Sequence, residues 1–99
     1  MIDLARIIGF DWDDGNDRKN DKYGVAQAEA EEVFFNQPLL MLEDLRHRDQ
    51  EARFHALGKT LDGRALHFTF TLRGDGTLIR VISARDMHCK ERILYDQDR

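Results

Sequence analysis

The side chains best suited to chemistry in this 99-residue sequence are cationic and gather in its second half. Arg53 and His55 lie two apart in an alternating segment, which places both on one face of a strand. Arg80 projects from a later β-branched segment and Arg85 stands where that segment ends. His88, Arg92 and Tyr95 follow on one face of a helix by i, i+4, i+7 spacing. From Arg80 to Arg92 there are four basic residues (Arg80, Arg85, Lys90, Arg92) against two acidic ones (Asp86, Glu91), a local +2. A cluster of this kind suits a small anion, because guanidinium meets phosphate or carboxylate bidentately. The competing reading is that each side chain is solvated or paired with neighbours such as Glu91 and Asp96, as surface cations usually are.

Other chemistries find less support. His47, His55, His67 and His88 show none of the i, i+4 or Cys-x-x-Cys pairings that set two metal ligands side by side, so no metal is expected. Cys89 has no base partner in sequence and reads as a small helix residue rather than a nucleophile. No Gly-x-Gly-x-x-Gly or phosphate-loop pattern exists, and no cofactor is expected. Fifteen basic minus nineteen acidic residues leave a net charge of −4, so a nucleic-acid role has to use a local basic patch.

The elements that must position these residues follow from periodicity. Hydrophobic residues at 41% and charged ones at 34% describe a folding chain, and its length suits one domain over residues 1–99. The lone cysteine excludes an internal disulfide and fits a cytoplasmic location. The longest apolar run, Leu39 to Leu42, is far below the roughly 20 residues of a membrane span, and Met-Ile-Asp-Leu-Ala-Arg is not an export signal. Neither membrane insertion nor secretion is expected.

A short strand is expected at about residues 6–12, then an exposed helix from Asn16 to Tyr23 closed by Gly24. A second helix is marked by Ala26, Ala30, Val33 and Phe34 and ended by Asn36 and Pro38. Four strands follow, at Leu39–Leu42, Ala52–Leu57, Leu66–Arg73 and Leu78–Ala84, with Asp62-Gly63 and Gly74-Asp75-Gly76 as turns. Asp86 then caps a terminal helix running to about Asp96. The sum is an α+β fold, an antiparallel meander with helices packed on it. The second and terminal helices are expected on one face, with Phe34, Phe68, Phe70 and Leu94 in the core and Met87 as a further contact.

Several stretches resemble a known family. Trp12-Asp13-Asp14-Gly15-Asn16, Lys22-Tyr23-Gly24-Val25 and Glu29-Ala30-Glu31-Glu32-Val33-Phe34-Phe35 are similar to the opening of BrnT-type toxins. So are Glu51-x-Arg53-Phe54, Gly58-x-Thr60, Gly63-Arg64-x-Leu66 and Phe70-Thr71-Leu72-Arg73. The most specific part is Ile79-Arg80-Val81-Ile82-Ser83-Ala84-Arg85-Asp86-Met87 followed by Lys90-Glu91-Arg92 and Tyr95. The resemblance runs in order over nearly the whole chain. It implies a type II toxin of RelE-like fold, a ribonuclease that halts translation. It also implies a small BrnA-type antitoxin with a ribbon-helix-helix part, joined in a heterotetramer that represses its own operon and touches DNA only through the antitoxin.

One departure matters. The family usually reads Lys-His-Gly where this chain has Lys22-Tyr23-Gly24, and tyrosine, with a pKa of about 10, is a poor base at neutral pH. Metal-free RNA cleavage needs a base for the 2′-hydroxyl, cations for the phosphorane and an acid for the leaving oxygen. Under the resemblance Arg53, Arg80 and Arg85 are the phosphate and transition-state ligands. Glu51, or alternatively His88, is the base or orienting group, and Lys22 with Tyr23 lies at the site edge. The alternative is a catalytically impaired module that only grips an antitoxin and serves operon autoregulation.

Overall fold

A computed structural model of the chain describes residues 4–12, 24–36, 39–44 and 52–97. After a single 3-10 turn at Leu4–Arg6 come β1 (Gly9–Phe10), α1 (Gln27–Phe35), β2 (Leu40–Asp44), β3 (Arg53–Lys59), β4 (Ala65–Arg73), β5 (Leu78–Asp86) and α2 (Cys89–Gln97). The sheet runs β1-β5-β4-β3-β2. Strands β2 to β5 form the expected antiparallel meander, while β1 lies parallel to β5, so the five-stranded sheet is mixed. The first strand is shorter than the expected 6–12, and the expected helix at 16–23 lies outside the described residues.

Alternation in β3 and β4 sets their register. Lys59 pairs with Ala65, Leu57 with His67, His55 with Thr69 and Phe54 with Phe70, so Phe54 stands opposite Phe70 on one face and His55 opposite Thr69 on the other. A slip by one residue would invert one strand's faces. Between β4 and β5 the register breaks. Thr69 pairs with Ser83 and Phe70 with Val81, which leaves Ile82 as the extra residue of a β-bulge. Before it, Ile79 and Val81 share the face of Phe70; after it, Ala84 does. The opposite face carries Arg80 before the bulge and Ser83 and Arg85 after it.

The main core lies between α1 and one sheet face. Phe34 meets Phe68 and Phe70 at ring-centroid distances of 5.3 and 5.1 Å, with Ala30 and Val33 buried beside it. Phe10 extends the cluster to Phe34 at 5.5 Å and stacks on Trp12 at 6.0 Å, and the Trp12 indole N–H donates to Glu31 at 2.9 Å. Helix and sheet approach closely at Gly58, where a Cβ would stand 2.7 Å from Val33 Cγ1 and 3.0 Å from Leu39 Cδ1. Asn36 follows the helix and its Nδ2 donates to the Lys59 carbonyl at 2.9 Å. Arg64 ties the helix start to the end of β5, donating to Glu29 at 3.2 Å, Asp86 at 2.9 Å and the Gly24 carbonyl at 2.8 Å.

The terminal helix departs from expectation. It begins at Cys89 rather than after Asp86, because β5 continues pairing to Asp86, opposite Leu66. It also packs on the other sheet face. Tyr95 joins Leu57, Ala65 and Met87 in a second cluster, and Leu57 and Ala65 alternate with the Ala56 and Leu66 of the main core. Phe34, Phe68, Phe70 and Met87 are buried as expected, but Leu94 is 43% exposed. The helix therefore covers only one end of that face.

Candidate functional site

The uncovered part of the second face holds an open cleft of about 430 Å³. Its floor follows from register. Leu57, His67 and Arg85 form one row across β3, β4 and β5, and His55, Thr69 and Ser83 form the next. Leu42 on β2 and Leu94 on α2 contribute apolar walls, and Glu91 on the first turn of α2 reaches over Arg85.

The polar groups are interlocked. The His55 and His67 rings stand 5.0 Å apart at 35°, and Thr69 Oγ1 lies 3.1 Å from His55 Nδ1. The Arg85 guanidinium meets both Glu91 carboxylate oxygens, at 2.8 and 2.9 Å, and donates also to the Asp86 carbonyl at 3.1 Å. Glu91 accepts a further bond from the His88 backbone N–H at 2.9 Å, which caps the start of the helix. The His67 side chain is 10% exposed; its Nε2 is 3.8 Å from Glu91 Oε2 and its buried Nδ1 has no hydrogen-bond partner among the described residues.

These surroundings decide the charge states. Burial, reinforced by the field of Arg85, pushes the His67 imidazole down to about 4, so at neutral pH it carries no charge and keeps a lone pair. The bonds from Arg85 hold the Glu91 carboxyl down to about 2, with help from the His88 N–H and His67. The cleft thus sets a neutral imidazole against a paired guanidinium, a proton acceptor next to a charge stabiliser. Among the described residues no group of three or more His, Cys, Asp and Glu is placed to hold a metal ion.

The residues singled out from sequence are only partly brought together. Arg85 lies in the cleft. Arg53, two before His55, and Arg80, opposite Thr71, lie on the same face beyond the His55 row. Arg80 and Arg85 are separated by the span from Thr71 to His67 on β4, about 13 Å at ~3.3 Å per residue. Arg80 also pairs with Asp11 at 3.3 Å. His88 is exposed at the N-cap of α2 and offers its backbone N–H to Glu91; it does not line the cleft. Glu51, Lys22 and Tyr23 lie outside the described residues.

His55 stood out in the sequence beside Arg53, and Glu91 as a pairing neighbour, but their grouping with His67, Thr69 and Ser83 was not evident there. A usable signal existed in the hairpin. With Phe54 opposite an aromatic of β4, His55 and His67 fall on adjacent strands of the polar face, and the Phe54–Phe70 register sets them one row apart.

Among the described residues no helix is long and apolar enough to cross a membrane. No match to the chain is found among curated proteins. A family model described as the ribonuclease toxin BrnT of type II toxin-antitoxin systems matches residues 12–91. With most of its length matched, including every residue of the cleft up to Glu91, the chain belongs to the BrnT family of ribonuclease toxins.

Proposed function

We propose that the cleft is the active site of an endoribonuclease that cleaves RNA by attack of a 2′-hydroxyl on its own phosphodiester, without a metal. The observation that carries this reading is the uncharged, nearly buried His67 beside Arg85, in a chain of a ribonuclease toxin family. Arg85 stabilises charge on the phosphorane, and His67 takes the 2′-hydroxyl proton. A phosphate anion at Arg85 offsets the guanidinium field and raises His67 toward the pH at which a base works best. His55, oriented by Thr69, faces the same space and serves the leaving oxygen.

Arg53 and Arg80 hold the flanking backbone on the same face, as phosphate ligands. Glu51, or alternatively His88, read from sequence as base or orienting group, keeps the orienting role now that His67 is the base, and Lys22 with Tyr23 forms the site edge. Around this chemistry stands the wider reading: a single RelE-like domain over residues 1–99, acting in the cytoplasm to inhibit translation. Its antitoxin is a small BrnA-like ribbon-helix-helix protein, held in a heterotetramer that binds DNA through the antitoxin alone. The acidic stretch from Glu29 to Glu51 favours a basic partner at encounter.

Expression without antitoxin is expected to arrest growth and fragment RNA, with no effect of chelator on the purified protein. Arg85→Ala should lower cleavage by about a hundredfold or more, the usual cost of one charged transition-state stabiliser, while an antitoxin pull-down still recovers the chain. Intact RNA and unimpaired growth with the wild-type chain would favour the antitoxin-binding module, the reading that Tyr23 supports. Recovery of cleavage in Tyr23→His would then locate the defect.

A further inference from the structure

Glu91 meets Arg85 as a phosphate would, with two near-parallel N–H···O bonds at 2.8 and 2.9 Å. Around that carboxylate stand two further groups suited to an anion, the His88 backbone N–H at 2.9 Å and the His67 ring at 3.8 Å. His67 is nine-tenths buried and lines the cleft, with its Nε2 3.8 Å from the Glu91 carboxylate and its buried Nδ1 without a partner among the described residues. Glu91 occupies the Nη1–Nη2 edge of Arg85, one of the two edges by which a guanidinium grips a phosphodiester bidentately. Carboxylate and phosphate cannot share it.

We propose that Arg85, with His67 and the first turn of α2, is a phosphate seat that Glu91 fills in the free chain, so that an RNA phosphodiester enters by exchanging with the Glu91 carboxylate. The helix that carries Glu91 is lightly anchored, which makes the exchange feasible. Tyr95 is its buried residue, whereas Ile93 and Leu94 are 58% and 43% exposed. Displacement of Glu91 also removes a negative charge from the path of incoming RNA, in a chain whose net charge is −4. Resting affinity for RNA is therefore held down by a residue of the site itself.

This inference rests on the cleft being the RNA site, and the test separates the two. The probe is an oligoribonucleotide with 2′-O-methyl riboses, which has no free 2′-hydroxyl and reports binding without cleavage. Glu91→Gln keeps a side chain that can cap the His88 N–H but loses the charge, and should bind the probe about tenfold more tightly than wild type. Glu91→Asp keeps the charge on a shorter arm and should give a smaller gain, which guards against a fold defect in the first variant; circular dichroism checks α2 in both. The gain should vanish when Arg85→Ala is added, since the freed seat is Arg85 itself. Binding by Glu91→Gln no tighter than wild type, with Arg85→Ala weakened, would overturn the exchange and leave Glu91 as a positioning residue for Arg85. Equal binding by wild type and Arg85→Ala would instead remove the cleft as the RNA site.

Discussion

The two faces of the sheet are made from alternate residues of β3, β4 and β5, and they have little else in common. Under α1, Phe34, Phe68, Phe70, Ile79 and Val81 are excluded from water, and the Phe34 ring meets those of Phe68 and Phe70. On the other side, α2 covers one end through Tyr95 and leaves His55, His67, Thr69, Ser83 and Arg85 around an open cleft. One face supplies the apolar burial that drives folding. The other holds partly desolvated polar groups, which cost free energy unless paired and are the raw material of shifted pKa values. A small sheet can carry both, because a two-residue period lets each strand serve two purposes independently.

The largest expected effect breaks the apolar face. Phe70→Ala should cost about 3–5 kcal/mol in a denaturant titration, as a fully buried aromatic replaced by a cavity. RNA affinity per folded molecule should change little, since Phe70 points away from the cleft. A loss below about 1 kcal/mol would show that the face is not packed as described.

The next effect comes from the polar face and has a pH signature. His67 takes up a proton at about 4 in the folded chain against 6.5 for an ordinary imidazole, so the unfolded chain binds more protons between those values. Stability is therefore full above about pH 6.5 and falls as the pH drops toward 4, by up to about 3 kcal/mol at ~1.36 kcal/mol per unit. Glu91, held at about 2 against 4.5, adds a second loss as the pH falls below 4.5. In His67→Asn the upper window should flatten while the lower one persists. Denaturant midpoints from pH 7 to 3 measure both, and an unchanged slope in the variant would mean that His67 is not the group responsible.

A smaller effect sharpens the contact between helix and sheet. Gly58→Ala places a methyl 2.7 Å from Val33 Cγ1, deep against α1. Overpacking there should cost about 1–3 kcal/mol in the same titration. A neutral outcome would show that α1 can lift from β3 without penalty.

Much of the apolar face was legible in the sequence. Leu66, Phe68 and Phe70 alternate with His67, Thr69 and Thr71 without interruption, and Ala30, Val33 and Phe34 fall on one helical stripe. Such patterns are local and need no knowledge of the partner surface. The site was less legible. Glu91 reads in sequence as a pairing neighbour for the cations of the Arg80–Arg92 stretch, but that it meets Arg85 bidentately beside His67 depends on how the chain turns at Met87 and His88.

Local pattern in the sequence sufficed for the order of the described strands and helices, the meander with its two glycine turns, the aromatic core under α1 and the resemblance to ribonuclease toxins. Tertiary structure alone decided which residues of β5 face the cleft. Arg80 and Arg85 are five apart, an odd spacing that puts them on opposite faces of a regular strand, and the bulge at Ile82 returns them to the same one. It also decided the side taken by α2, whose exposed Ile93 and Leu94 give no clean apolar stripe to read. The physical reason is common to both. Periodicity describes a residue relative to its own element, whereas a bulge and a helix crossover are set by pairing and packing between elements distant in the chain.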